Sequence, residues 1–136
     1  MNLAEEIADF VIKYGSVPYK REDLIPYYQV MIDWGNVVII RNGEKIAFVA
    51  DYYLNNSATK IIFENETRSF GKVMMIQNGV LFPKYRSKGL RILRDTLKLI
   101  LARHPEVDLI GWVQRKNNKT FFYNRRNVWQ TKRVAT

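Results

Sequence analysis

The chain has no cysteine and a single histidine, and these two shortages limit its chemistry. Without cysteine it has neither a disulfide framework nor a thiolate nucleophile. His104 precedes Pro105 where a helical pattern ends, and a cation near a helix C-terminus is its expected role. We therefore predict no metal site.

Long apolar runs are also missing from the sequence. No run approaches the roughly 20 residues that a membrane-spanning helix needs, and residues 1–9 are acidic, unlike a signal peptide. The 136 residues, with 47% hydrophobic and 26% charged side chains, are typical of a globular domain. We predict one domain over residues 1–136, located in the cytoplasm and not bound to a membrane.

Acidic residues become scarce in the second half of the chain. Residues 1–83 hold 8 Lys and Arg against 10 Asp and Glu, whereas residues 84–136 hold 14 against 3. The net charge of +9 therefore comes from the second half. A basic half of this kind is either a solvated surface or a site for an anion, such as a polyanionic cofactor or a nucleic acid.

Local patterns predict two helices and a hairpin in the first half. Residues 3–14 have apolar side chains at helical spacing behind an Asn2–Glu5 capping box. Residues 22–33 predict a second helix. Asn42-Gly43 then separates two runs rich in β-branched and aromatic residues, 36–41 and 44–54, and this dipeptide is typical of a two-residue hairpin turn. Residues 58–70 fit either a short strand or a helical turn.

The segment Lys72–Phe82 is apolar enough for a central strand, but Asn78-Gly79 interrupts it. The interruption favours a bulge within one strand, and a hairpin turn is the alternative. Residues 90–103 then predict a helix whose apolar face comprises Leu90, Leu93, Leu97, Ile100 and Leu101, and residues 107–113 predict a buried strand after it. A strand–helix–strand unit of this length predicts a parallel pair with a right-handed crossover.

The junction between that strand and that helix has the sequence Leu81-Phe82-Pro83-Lys84-Tyr85-Arg86-Ser87-Lys88-Gly89-Leu90-Arg91. A helix N-terminus offers unpaired N–H groups and the positive end of the helix dipole, which suit a phosphate. Gly89 would let the backbone approach such a ligand closely, and the basic side chains add positive charge. The junction therefore predicts an anion site.

The segment Arg86–Arg91 resembles the acetyl-CoA-binding loop of the GCN5-related N-acetyltransferase family, which has Arg/Gln-x-x-Gly-x-Gly/Ala between its fourth strand and third helix. Arg91 departs from this pattern at the last position. Farther along, Asn117-Asn118 and Phe122-Tyr123 resemble the second half of the family signature, in which an Asn precedes a short helix carrying Phe-Tyr. Asn127-Val128 replaces the family's Gly-aromatic step. The resemblance covers roughly residues 72–129.

The resemblance implies an α/β (α+β) fold with a mixed, mostly antiparallel sheet, helices on both faces, and a V-shaped splay between the fourth and fifth strands. It implies transfer of an acetyl or acyl group from acetyl-CoA to an amine. The loop residues Arg86, Ser87, Lys88, Gly89, Leu90 and Arg91 would bind the pyrophosphate, and the backbone of Leu81 and Phe82 would hold the pantetheine. Asn117 or Asn118 would bond the cofactor arm, and Tyr123 would protonate the leaving thiolate.

Several alternatives stay open at this stage. Tyr123 is either that proton donor or a packed aromatic residue. The predicted fourth strand has no carboxylate to serve as a general base, and the candidates elsewhere are Asp33, Glu44 and Asp51. The aromatic side chains in and after the second helix favour core packing over contact with an acceptor substrate, and they are Tyr27, Tyr28 and Trp34.

Three functions are compatible with these patterns. The first is an acetyltransferase acting on an amine of a protein or small molecule. The second is an enzyme that modifies nucleic acid, similar to phage proteins of the same superfamily, and small size with no strand before the first helix suits a phage-type member. The third is a non-catalytic binder of protein or nucleic acid, because residues 84–136 predict weak, salt-sensitive nucleic-acid binding.

Overall fold

A computed structural model of the chain describes residues 2–55, 59–63, 66–70, 72–107, 109–114, 119–124 and 129–131. The helices are α1 (Leu3–Gly15), α2 (Arg21–Trp34) and α3 (Gly89–Arg103), with a 3₁₀ helix (Pro83–Lys88) before α3. The strands are β1 (Val37–Asn42), β2 (Lys45–Asn55), β3 (Thr59–Phe63), β4 (Glu66–Phe70), β5 (Val73–Leu81), β6 (Leu109–Gln114), β7 (Lys119–Asn124) and β8 (Trp129–Thr131).

Six of the strands form one mixed sheet in the order β1-β2-β5-β6-β7-β8, and β3 pairs with β4 as a separate hairpin. The pairs β1–β2, β6–β7 and β7–β8 are antiparallel, whereas β5–β6 is parallel with α3 between its strands. The predicted mixed, mostly antiparallel sheet is therefore confirmed, as is the parallel pair. The V-shaped splay and the helices on both faces stay predictions.

The contacts within the chain define two compact units. The first comprises Met1–Asp51 and Asn78–Thr96, and the second comprises Tyr52–Gln77 and Leu97–Thr136. The elements β2, β5 and α3 each run from one unit into the other. Each unit has a hydrophobic core of its own.

The first unit buries the apolar faces of α1 and α2 against β1, β2 and the end of β5. Asn2 caps α1 as predicted, because its Oδ1 accepts a hydrogen bond from the Glu5 N–H at 2.9 Å. The helix ends at Gly15, but the left-handed residue is Ser16, with φ 50. The fully buried members of this core include Ala4, Ile7, Ala8, Val11, Tyr28 and Val49.

The predicted hairpin is confirmed, with its turn one residue later than expected. Asn42 pairs with Lys45 at the end of the ladder, so Gly43 and Glu44 form the turn. Gly43 takes φ 64, and a glycine in the first of the two turn positions suits the twist of the flanking strands. The register of the β1–β2 pairing shifts between Ile40 and Arg41.

Asn78-Gly79 does not turn the chain, because β5 continues through both residues to Leu81. The hairpin alternative is therefore wrong and the single strand is confirmed, while the bulge itself stays a prediction. The undecided segment 58–70 contains the two short strands β3 and β4, so the helical alternative for Ile61–Phe63 is wrong.

The third predicted helix is confirmed, but its first turn differs from the expectation. Leu97, Ile100 and Leu101 are buried as the helical spacing predicts, whereas Leu90 is 65% exposed. The 3₁₀ helix runs directly into α3, and Leu90 is the second residue of α3. A hydrophobic pattern fixes a helix face but not how far along the helix the core extends.

The second unit is built on β5, β6 and β7. Val73, Leu109 and Phe122 form its buried cluster, with Met75 packed against it. The short helix implied around Phe122-Tyr123 is wrong, because these residues lie in β7 opposite Gly111 and Ile110. Aromatic and β-branched side chains favour a strand, and cross-strand contacts such as the stacked Trp112 and Phe121 rings stabilise it.

We predict that Gly111→Ala destabilises the second unit. A Cβ at this position would lie 2.8 Å from Phe122 Cε1 and 2.9 Å from Met75 Sδ, both in a packed core. Overpacking of this kind costs about 1–3 kcal/mol, which urea denaturation would measure. Gly89→Ala is the matched control: its Cβ would meet Leu81 Cδ2 at an ordinary 3.5 Å, and no loss is expected. Equal stability of the two variants would contradict the packing argument.

Candidate functional site

The junction between β5 and α3 is fixed by backbone and aromatic contacts within the first unit. The Phe82 N–H donates to the Ala47 carbonyl at 2.8 Å, and the Tyr85 N–H donates to the Phe82 carbonyl at 2.9 Å. The Asn42 amide donates to the Tyr85 hydroxyl, and the ring of Tyr14 meets that of Phe82 edge-on at 5.0 Å. The chain after β5 therefore has a defined path.

The remaining side chains of the junction point to solvent. Lys84, Arg86, Lys88 and Arg91 are exposed, and none of the four forms an ion pair with any residue that the structure describes. No acidic residue occurs between Pro83 and Arg94. We refer to Lys84, Arg86, Lys88 and Arg91 as the basic junction. Four uncompensated cations on eight residues create a local positive potential that attracts anions.

Gly89 does not have the special backbone geometry that a glycine in a ligand-binding turn suggests. Its φ of −57 and ψ of −42 are ordinary helical values, and its N–H already donates to the Arg86 carbonyl. The amide of Gly89 therefore has a partner inside the helical path. At the basic junction the charged side chains are the clearer anion-binding groups.

The predicted site residues fall into three groups. Leu81 and Phe82 are half-buried at the end of β5, and Arg86, Ser87, Lys88, Leu90 and Arg91 are exposed around Gly89. Tyr123 lies in the second unit, on β7, and is only 1% exposed. Asn117 and Asn118 lie outside the described residues, as do Arg125 and Arg126, two cations of the basic segment 84–136. The roles assigned to all these residues stay predictions.

A buried polar cluster in the first unit joins α2 to β2 and β5. The Asp51 carboxylate accepts from the Tyr28 hydroxyl at 3.0 Å on Oδ1, and from the Asn78 amide at 3.1 Å on Oδ2. The Tyr27 hydroxyl also donates to Oδ2. Asp51 and Tyr28 are fully buried, and Asn78 is nearly so. We refer to these four residues as the Asp51 cluster.

Burial raises the pKa of Asp51 above its usual value, because the charged carboxylate is removed from water. The hydrogen bonds from Tyr27, Asn78 and Tyr28 lower the same pKa without cancelling the effect of burial. Burial also raises the pKa of Tyr28 well above its usual range, with the Asp51 charge as the next largest cause. A buried carboxyl group with a raised pKa is suited to accepting a proton.

Sequence reasoning named the members of the Asp51 cluster separately but did not bring them together. Asp51 was one of three candidate bases, the two tyrosines were candidates for the core, and Asn78 marked an interruption of a strand. The available signal is Asp51 itself, an acidic residue among the apolar residues of the strand predicted over residues 44–54. Because charged residues are almost never fully buried without a partner, a polar partner is expected for Asp51.

A concave feature lies beside the β1–β2 hairpin in the first unit. It is an open cavity of about 280 Å³ with an apolar floor and a charged rim. Arg41 holds the rim residue Glu6 through two hydrogen bonds, at 2.8 and 2.9 Å. The lining residues are Glu6, Phe10, Tyr14, Glu44, Lys45, Ile46 and Phe82.

The protein shows no further feature that identifies its function among the described residues. Among the described residues, no three His, Asp or Glu side chains are grouped so as to hold a metal ion. No helix in the described part of the chain is long and apolar enough to cross a membrane. No protein-family model matches the sequence, and a comparison with curated proteins finds no similar one. The site must therefore be interpreted from its own chemistry.

We predict that Asp51 makes the protein less stable as the pH rises. Because folding raises this pKa from about 3.8, the folded state holds the proton more tightly, and that contribution is lost as the pH passes through the raised pKa. The difference in unfolding free energy between wild type and Asp51→Asn should therefore change with pH above about 4, to the disadvantage of the wild type. Urea midpoints measured from pH 4 to 9 test this.

The control for this measurement is Asp33→Asn, the same substitution at an exposed carboxylate that accepts from Gln29 at 3.0 Å. The difference in unfolding free energy between Asp33→Asn and the wild type should not show the pH dependence expected for Asp51→Asn. A pH-independent difference for Asp51→Asn would contradict a raised pKa at Asp51.

Proposed function

We propose that the protein is an acyltransferase that uses acetyl-CoA to acylate an amine. The observation that carries the proposal is the basic junction, which lies between β5 and α3 of a parallel β5–α3–β6 unit. Ligands of open α/β sheets bind beyond the carboxyl ends of the strands, and the basic junction begins three residues after β5 ends. Its cations match a ligand that carries a diphosphate.

The residues of the basic junction fit the phosphates of acetyl-CoA. Arg86 and Lys88 are exposed cations two residues apart in the 3₁₀ helix, and guanidinium and ammonium groups bind phosphate oxygens through charge-assisted hydrogen bonds. The anchored backbone at Phe82 keeps these groups in one place without a bound ligand. When bound, acetyl-CoA supplies an acetyl group activated as a thioester.

The remaining roles follow the resemblance described above. In the proposal, the backbone of Leu81 and Phe82 holds the pantetheine, Asn117 or Asn118 bonds its arm, and Tyr123 protonates the leaving thiolate. The V-shaped splay, which the family has between its fourth and fifth strands, would lie between β5 and β6 of this chain. These strands pair over Val73–Ile76 and Leu109–Trp112, and β5 extends beyond the pairing.

We expect acetyl-CoA to raise the melting temperature of the protein, because a ligand that binds only the folded state stabilises it. Arg86→Glu should weaken binding roughly tenfold to a hundredfold, since one charge-assisted phosphate contact is lost and a repulsion is added. Calorimetric titration measures the affinity. Lys20→Glu is the matched control, because Lys20 is an exposed cation of the same unit away from the basic junction. No heat and no thermal shift with the wild type would refute cofactor binding.

A second candidate function is weak binding of nucleic acid. The specific observation in its favour is the same basic junction, extended by the exposed Arg94 on α3. Phosphate contacts release counterions, so affinity for DNA or RNA falls steeply as salt rises. A cofactor site and a nucleic-acid surface need not exclude one another.

We predict that a double variant, Lys84→Glu with Arg86→Glu, loses binding to a fluorescent single-stranded DNA at low salt. The salt slope of the wild type should reflect several phosphate contacts and should become shallower in the variant. The double variant Lys13→Glu with Lys20→Glu makes the same change in charge outside the basic junction. It should bind the DNA better than the variant with Lys84→Glu and Arg86→Glu does. Absence of binding by the wild type at micromolar protein would remove this candidate.

A further inference from the structure

The Asp51 cluster contains a buried carboxylate whose partners are all neutral. Its oxygens accept from two phenols and one amide, which come from α2 and β5. No cation among the described residues pairs with it, since the groups acting on it are Tyr27, Tyr28, Asn78 and its own backbone. A buried charge without an opposite charge is costly, and proteins keep such groups chiefly where they function.

Only one member of the Asp51 cluster reaches the surface. Asp51 and Tyr28 are fully buried and Asn78 is 8% exposed, whereas Tyr27 is partly exposed. The Tyr27 hydroxyl is bonded directly to Asp51 Oδ2. A ligand therefore meets the negative charge of Asp51 through Tyr27, and the Asp51 carboxylate cannot be approached directly from solvent.

The surroundings of Asp51 favour a cationic ligand over an anionic one. Tyr19 is 48% exposed and close enough to Tyr28 to contribute to raising its pKa, so a third phenol lies near Tyr28. Phenol rings attract ammonium groups through their π faces. From β1, the residue opposite Asp51 is the uncharged Val37. The groups that face Asp51 from α2, β5 and β1 carry no positive charge that would repel an ammonium, and the exposed Lys20 follows Tyr19 at the start of α2.

We propose that the acceptor is an amine whose ammonium group binds at Tyr27 and loses its proton to Asp51 through the Tyr27 hydroxyl. This inference rests on the proposed acyltransferase function, and it names where the amine binds and the route of its proton. It also selects Asp51 from the three candidate bases. Asp33 and Glu44 are exposed and lie outside this hydrogen-bond network.

The proton transfer balances without any further reactant. One N–H bond of the ammonium breaks as its proton passes to the Tyr27 oxygen, and the Tyr27 O–H proton passes to Asp51 Oδ2. The amine is left neutral with its electron pair free for attack, Tyr27 is unchanged, and Asp51 is protonated. The proton returns to water by the reverse path once the product has left.

The first experiment needs no acetyl-CoA. The Asp51 carboxyl carbon is followed by ¹³C NMR, with its signal assigned by its loss in Asp51→Asn, while n-butylamine is added as a minimal ammonium probe. We expect the probe to shift this signal in the wild type and not in Tyr27→Phe, which keeps Asp51 and removes only the linking hydroxyl. n-Butanol, of similar shape but uncharged, should have no effect. An Asp51 signal that ignores n-butylamine overturns the inference.

The second experiment measures release of free thiol from acetyl-CoA with n-butylamine as acceptor, between pH 6 and 10. Asp51→Asn and Tyr27→Phe should each lower the rate about 10²–10⁴-fold and alter the pH profile, while acetyl-CoA affinity stays within about twofold. Asp33→Asn and Tyr53→Phe, which change an exposed carboxylate and an exposed phenol, should keep the wild-type profile.

The outcomes separate the inference from the proposed function. A wild-type profile in Asp51→Asn and Tyr27→Phe overturns the inference and leaves the acyltransferase standing. Binding of acetyl-CoA without transfer to n-butylamine at any pH also overturns the inference, because a primary amine is then not an acceptor. If acetyl-CoA does not bind, the proposed function fails and the proton route fails with it, even where the NMR shift shows that an amine binds.

Discussion

The buried carboxylate of Asp51 is the constraint on which the first unit depends. It accepts from Tyr27 and Tyr28 on α2 and from Asn78 on β5, so one side chain of β2 fixes the helix and the neighbouring strand. Hydrogen bonds to a charged group are worth about 1.5–3 kcal/mol each, but burial of the charge opposes them. The raised pKa of Asp51 indicates that burial has the larger effect on its charged state.

The basic junction depends on a different kind of constraint. Aromatic contacts among Tyr14, Phe82 and Tyr85, together with the Phe82–Ala47 hydrogen bond, hold the end of β5 against the hairpin. Because these apolar residues secure the backbone, the charged residues between them are free to face solvent. The first unit therefore combines an anchored backbone with a set of exposed cations, as binding sites on connecting segments commonly do.

The basic junction and the Asp51 cluster, both in the first unit, differ in electrostatic character. Exposed cations at the basic junction suit an anionic cofactor, whereas the negative, phenol-lined Asp51 cluster suits a cationic acceptor. Both are formed where β5 passes through this unit, at Asn78 near one end of the segment and after Leu81 at the other. In the proposed transfer, the basic junction would hold the anionic donor and the Asp51 cluster would bind the amine.

Local sequence determined the helices, the first hairpin and the β5–α3–β6 order, because capping, periodicity and turn residues act within a few positions. The Asn2 cap and the Asn42-Gly43 signal are examples, the latter correct to within one residue. Only the tertiary structure brought Asp51 to Tyr27 and Asn78, placed Leu90 in solvent and made Phe122-Tyr123 a strand. The physical reason is that strand register and the extent of a core are set by packing between distant segments, which no local pattern encodes.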